Sequence, residues 1–335
     1  MVYKKKALFL SCLVGALALV YAGTWVFEPE RVNSRNAAFQ WLDPKGLDAI
    51  DRIELSSGSG DPLTLVRKDT RWFVSRDDGD YPAKQGRIEE FLRILSTKGS
   101  YPVRGTETAS HERLGLTEAA ASRILIRGGA AAYPMLDLLV GSRDPTGREV
   151  YLRKQDQAEV RSGNDALSGY ISSARTSWYD LRLFPETENP GLEVDSVQRL
   201  TVYPLAASAE ESAESGEQRA PEPPFSLSRS EGTWIIEGAS VNALDNQRIE
   251  SYIRSIVDAE GEDFMPAPEG IQENEFIQGR IVLELGNGLS RTIRIGPALE
   301  SNQRKAIVSD TPFVYALAEW TINRIFRDAS YFEKP

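Results

Sequence analysis

Hydrophobic and polar positions alternate over Ile50-Asp51-Arg52-Ile53-Glu54-Leu55 and again over Val197-Gln198-Arg199-Leu200-Thr201-Val202. That period of two predicts half-buried strands. Each is followed by a hairpin of the same design. Leu63–Lys68 and Arg71–Val74 flank the turn Asp69-Thr70, and Phe225–Ser230 and Thr233–Ile236 flank Glu231-Gly232. A helix comes next in both places. Ile88, Phe91, Leu92 and Leu95 repeat at i, i+3, i+4, i+7, as do Ile249, Tyr252, Ile253 and Ile256, with Asp245 placed to cap the second helix.

The order then repeats again. Strands over 123–126 and 136–141 match 280–283 and 291–296, and Val150-Tyr151-Leu152 matches Ala306-Ile307-Val308 more loosely. Both copies close on a short helical stretch with an aromatic end, Ser177–Phe184 and Ile325–Phe332. The pattern predicts an α+β protein of two similar tandem domains, each an antiparallel sheet packed with helices. The repeats cover 48–184 and 192–332, joined by a linker at 185–191. The second carries an insert, 205–224, rich in Ala, Ser, Glu and Pro. With almost no large apolar residue, that insert is predicted to be disordered.

Ahead of the repeats, residues 7–27 contain no charged side chain and follow Lys4-Lys5-Lys6. As a helix this run spans about 31 Å, enough for the hydrocarbon core. The lysines predict a cytoplasmic tip, one N-terminal transmembrane signal anchor within 1–27, and residues 28–335 outside the cytoplasmic (inner) membrane, on the periplasmic side. Membrane lipid is thus an expected partner through 7–27, and 28–47 is a juxtamembrane linker in which 37–42 reads as a docking segment. Two alternatives stay open. Val20-Tyr21-Ala22 satisfies the small-residue rule for cleavage before Gly23, and Phe9-Leu10-Ser11-Cys12 is a loose lipidation motif at Cys12.

Composition narrows the chemistry. The net charge of −10 disfavours nucleic acid as a partner, because a phosphate backbone repels an acidic surface. One Cys and one His exclude a Cys/His zinc site and an intrachain disulfide. His111 reads as an exposed loop residue, and Asp77-Asp78-Gly79-Asp80 as a solvated turn, since the rest of a calcium loop is missing. Glu89-Glu90 is a solvated helix face. Gly128-Gly129 and Gly286-Asn287-Gly288 are hairpin turns rather than phosphate cradles. Trp72 and Trp234 occupy equivalent hairpin positions and are expected in the core rather than as stacking platforms for a glycan. The charged loop Gly141–Arg148 is either a binding edge or an ordinary turn. No catalytic, cofactor-binding or metal-ligating residue is assigned, and no cofactor is expected.

The layout resembles a bacterial family known as domain of unknown function 4340. The I-x-x-I-x-L strand, the hairpin with Trp on its second strand, the Ala83-Lys84…Ile88 helix entry and the Leu-Phe segments carry the resemblance. Members are often encoded beside a gliding-type ABC exporter, so the resemblance implies a partner in an ABC transporter permease or auxiliary subunit. It carries no catalytic residues. The expected function is a non-catalytic, membrane-anchored binding or accessory protein of an envelope transport or gliding-type system. The competing expectations are a glycan- or peptidoglycan-acting enzyme using carboxylates, and a structural envelope scaffold.

Overall fold

A computed structural model describes residues 14–18, 21, 38–58, 61–129, 133–185, 189–190, 192–205, 223–239, 243–267, 270–299 and 302–334. Most of the uncharged run, Cys12, residues 28–37 of the 28–47 linker and nearly all of the 205–224 insert lie outside these residues. Residues 14–18 and 21 are helical and exposed. Among the described residues no helix is long and apolar enough to cross a membrane.

The protein is α+β, and its contacts divide the chain into two compact units, Met1–Ser75 with Lys84–Ser177, and Arg76–Ala83 with Trp178–Pro335. The first sheet is made from β2 (Ile50–Ser56), β3 (Leu63–Lys68), β4 (Arg71–Arg76), β5 (Gly79–Pro82), β7 (Val103–Gly105), β8 (Ser122–Gly128), β9 (Leu136–Arg143), β10 (Glu149–Lys154) and β11 (Val160–Asn164). Its order is β5-β4-β3-β2-β8-β9-β10-β11-β7. A separate two-residue pair joins β1 (Ala38–Phe39) to β6 (Gly99–Ser100). The second sheet contains β12 (Val197–Tyr203), β13 (Phe225–Ser230), β14 (Thr233–Glu237), β15 (Asp263–Met265), β16 (Gly279–Leu285), β17 (Ser290–Leu299), β18 (Gln303–Val308) and β19 (Val314–Ala318). Its order is β14-β13-β12-β16-β17-β18-β19-β15. Taken from β4 to β7, the first sheet has the same order strand for strand.

The shared order rests on shared chemistry. Helices α1 (Gln85–Ser96) and α4 (Asn246–Val257) bury the expected stripes, Ile88, Phe91, Leu92, Leu95 and Ile249, Tyr252, Ile253, Ile256. Asp245 caps α4 by accepting from the Arg248 amide at 3.1 Å, whereas Lys84 at the same point of α1 makes no such bond. The first residue of each helix reaches the tryptophan strand. Gln85 Oε1 accepts from the Trp72 amide at 3.0 Å, and Asn246 Oδ1 from the Trp234 amide at 3.3 Å. Both indoles are in the core, as expected (Trp72 6% and Trp234 2% exposed). The hairpin turns also fall where the pattern put them, with Asp69, Glu231 and Gly232 at positive φ.

A second small core lies on each sheet under the segment that precedes its β8 or β16 strand. In one unit it is Leu116, Ala121, Leu139 and Val160; in the other it is Phe276, Ile307 and Val314. Both need a glycine on the sheet. A Cβ on Gly141 would lie 2.3 Å from the Leu114 carbonyl oxygen, and one on Gly296 would lie 2.8 Å from the Phe276 ring. Beside the first of these cores, Arg153 donates to the carbonyls of Lys154, Gln155, Gln157 and Leu116, a buried guanidinium solvated by backbone.

Three features differ from the sequence-based expectation. With Gly141 opposite Gly296 in the two patterns, Leu152 faces Val140 and Ala306 faces Ile295. The counterpart of Leu152 is therefore Ala306, not Val308. A shift of two leaves every side chain on its original face, so the alternation could not detect it. Secondly, strands β1, β5, β6, β7, β11, β15 and β19 were not anticipated. They are short, or, like Val314-Tyr-Ala-Leu-Ala, buried on both faces and without alternation. Thirdly, an opening segment docks on each unit. In the first, Ala38 and Phe39 pair with Ser100 and Gly99, and the Trp41 and Leu42 amides both donate to the Leu95 carbonyl. In the second, Arg182 pairs with Glu260, and the Leu183 amide donates to the Ala259 carbonyl at 2.9 Å. The compact units and the sequence repeats thus divide the chain differently, with residues 178–184 belonging to the second unit.

Candidate functional site

The docked opening segment of the first unit borders a cleft of ≈ 340 Å³ lined by Gly99, Ser100, Tyr101, Arg148, Glu149 and Asn164. Its floor depends on Gly163. A Cβ there would sit 2.5 Å from the Tyr101 ring, so only glycine lets that ring lie across β11. Tyr101 is held from the other side by Trp41, edge-on at 5.3 Å, and Trp41 in turn meets Phe39 at 4.9 Å. The Arg161 guanidinium lies 4.1 Å from the centre of the Phe39 ring and donates to the Tyr101 carbonyl at 2.8 Å.

One wall is the pair Glu149 and Asn164, opposite each other at the start of the β10–β11 pairing. Arg104 bonds Glu149 Oε2 at 2.9 Å and Ser162 Oγ at 2.7 Å. Hydrogen bonding from Ser162, then the Arg104 guanidinium, holds the Glu149 carboxyl below the usual carboxylate range. Asn164 Oδ1 accepts from the Ala166 amide at 3.3 Å.

The other wall rises from the β9–β10 turn, part of the charged loop singled out by sequence. Asp144 organises it by accepting from Thr146 Oγ1 at 2.6 Å and from the amides of Thr146, Arg148 and Glu149. These bonds, led by the Thr146 hydroxyl and the Glu149 amide, pull the Asp144 carboxyl down to about 2. The folded-state value is below the ordinary 3.8. The carboxylate therefore contributes stability that is fully present above about pH 4 and disappears as pH falls through about 2. An Asp144→Asn variant should be less stable than wild type near neutrality. Denaturation midpoints of the full-length proteins should converge between about pH 4 and pH 2; a gap that stays constant over that range would show that the loop does not use this charge.

The remaining residues noted in the sequence lie elsewhere. His111 is in a one-turn helix, α2 (Ser110–Arg113), half-buried rather than in an exposed loop, with Nε2 3.0 Å from the Ala158 carbonyl oxygen. Asp78 belongs to the second unit and is more than a solvated turn residue. It pairs with Arg76 at 2.8 and 2.5 Å and accepts from Tyr81 Oη at 2.9 Å. Burial pushes its carboxyl up, but those hydrogen bonds outweigh burial and leave it lowered. Burial, then the bond to Asp78, pushes the Tyr81 phenol up to about 12. Tyr81 stacks on Phe264 at 5.0 Å in an aromatic nest with Tyr179 and Phe313. Glu90 is half-buried and bonded to Arg93. Among the described residues no group of three or more His, Cys, Asp or Glu is placed to hold a metal ion.

Sequence reasoning missed Ser100, Tyr101, Glu149 and Asn164 as neighbours. They come from three separate stretches of chain: the register of β10 with β11 sets Glu149 opposite Asn164, and the pairing of β7 with β11 brings Ser100 and Tyr101 beside them.

A family model described as "Domain of unknown function (DUF4340)" matches residues 72–274. A protein of Treponema pallidum (strain Nichols), named "Uncharacterized protein", is 29% identical over 126 residues. That match covers 37% of this chain and 39% of the relative, so the chain spans well under half of the relative's length. No solved structure matches the chain significantly.

Proposed function

The chain belongs to the DUF4340 family, and from that premise we propose that it is a membrane-anchored extracytoplasmic protein that acts by binding. In this reading residues 7–27 are a retained transmembrane anchor, residues 28–335 stand outside the cytoplasmic membrane, and the two units are internal duplicates. The partner is an ABC-type envelope transport or gliding-type assembly, through its permease or auxiliary subunit.

The observation that carries the reading is the matching strand order of two sheets set behind an uncharged, lysine-led run. Two related modules on one anchored chain present two surfaces at high effective concentration to a multisubunit partner. The exposed side chains of Val14, Leu17 and Tyr21 support the anchor, because a spanning helix turns its apolar surface outward to lipid. Ten residues, 28–37, separate that run from the docked Ala38, and at about 3.4 Å each they reach at most about 35 Å. Ala38 pairs with Ser100 at the rim of the cleft. The tether thus keeps the cleft within reach of a membrane-embedded partner.

The test is affinity purification of the tagged full-length protein from detergent-solubilised membranes. Recovery of an ABC permease or its auxiliary subunit in stoichiometric amount is the expected result. Recovery of none, together with peptidoglycan hydrolysis by the same preparation, would replace this reading with an enzymatic one.

A further inference from the structure

We propose that the cleft beside the docked opening segment is a carboxylate-binding site, specific to the first unit, with Arg148 as the fork that grips the ligand. Each carboxylate around the cleft already has a cation or donors of its own: Glu149 Oε2 takes Arg104, Asp144 takes four donors of its own loop, and Asp165, beside Asn164, is paired with Arg143 through Oδ2, although its buried Oδ1 has no partner. Asn164 Oδ1 is bonded to the Ala166 amide, which leaves the amide NH2 free to donate. The Arg148 side chain is exposed and has no hydrogen-bond or ion-pair partner among the described residues. Without a partner of its own there stands the Arg148 guanidinium, with the Asn164 carboxamide NH2 and the Ser100 hydroxyl in the same lining as further donors. Such a surface is complementary to an oxygen-rich anion, and the planar fork of arginine matches a carboxylate with two parallel bonds.

The second unit lacks this arrangement. The corresponding strand pair there begins with Gln303 opposite Ala318, so no amide stands where Asn164 does. Asn302, ahead of that pair, takes the place of Arg148. The adjacent Arg304 is buried and committed to Gln278 and Glu319. The two copies share a fold but are built to bind different things.

The ligand is a free carboxylate or an acidic side chain on a partner polypeptide, and the test separates these sources. Nitrogen-15-labelled full-length protein in detergent micelles is titrated with sodium acetate, with a capped tripeptide whose only carboxylate is a Glu side chain, and with its Gln analogue. The Asn164 side-chain amide and the Arg148 Nε–H signals are followed. Acetate and the Glu peptide should shift both signals and saturate, and the Gln peptide should not. Arg148→Met should weaken binding at least about tenfold, and Arg148→Lys, which keeps the charge without the fork, should weaken it less. A Glu peptide that binds at least about tenfold more tightly than acetate identifies a polypeptide source, and equal affinities identify a free carboxylate. Absence of any shift with both carboxylates, equal shifts from the Gln peptide, or undiminished binding by Arg148→Met would overturn the proposal. Because Arg148 is exposed, its variants keep the fold, and unchanged signals elsewhere verify this. The result is independent of co-purification with a transporter, so either proposal can fail alone.

Discussion

Truncating Trp234 to Ala should lower the stability of the full-length protein by about 3–5 kcal/mol, and Trp72→Ala should cost a similar amount. Both indoles are in the core, so truncation removes a large apolar surface and leaves a cavity that the neighbouring strands cannot fill. Each tryptophan also sits where its backbone amide is held by the first residue of the following helix, Gln85 or Asn246. Collapse of the cavity would pull on that bond, so relaxation is restricted. Chemical denaturation followed by far-ultraviolet circular dichroism measures the loss. A change below about 1 kcal/mol in either variant would mean that the indole contributes little packing.

A second large effect is expected from a single methyl group. Gly141→Ala places a Cβ 2.3 Å from a backbone oxygen, that of Leu114, which also accepts from the Ser142 amide at 2.9 Å. The carbonyl cannot move without breaking that bond and lifting Leu116 from its core. The cost should be about 3 kcal/mol or more, at the upper end for overpacking. Gly296→Ala meets the Phe276 ring at 2.8 Å, a side chain with some freedom to shift, and should cost less. Paired denaturation curves of the two variants give the comparison. Equal losses would contradict the claim that the backbone obstacle in the first unit is the harder one.

Much of the architecture was legible in the sequence because most of its strands face solvent on one side. The alternation in Ile50–Leu55 and Val197–Val202, and the helical stripes that follow, are visible since burial there has a period. Legibility ended where burial lost its period. β19 is buried on both faces for most of its length, and β11 is short and holds Gly163, a residue present for the Tyr101 ring rather than for the strand. The docking of Ala38–Leu42 was visible as an apolar island in a polar linker, but its repetition at 181–183 was hidden. In the sequence pattern those residues read as the end of the preceding repeat. Of the cleft, only the loop that carries Arg148 could be seen in advance. The other walls depend on which residue of β10 faces which of β11, and a pattern of period two does not specify register to within two residues.

The anchored, outward-facing arrangement underlies the functional proposal and is tested most directly by protease treatment of intact spheroplasts. The chain would carry one epitope before Lys4 and another after Pro335. The account predicts that the protease removes the C-terminal epitope while the N-terminal one stays protected and sediments with membranes. A fully protected C-terminal epitope, or an N-terminal epitope recovered in the soluble fraction, would contradict it.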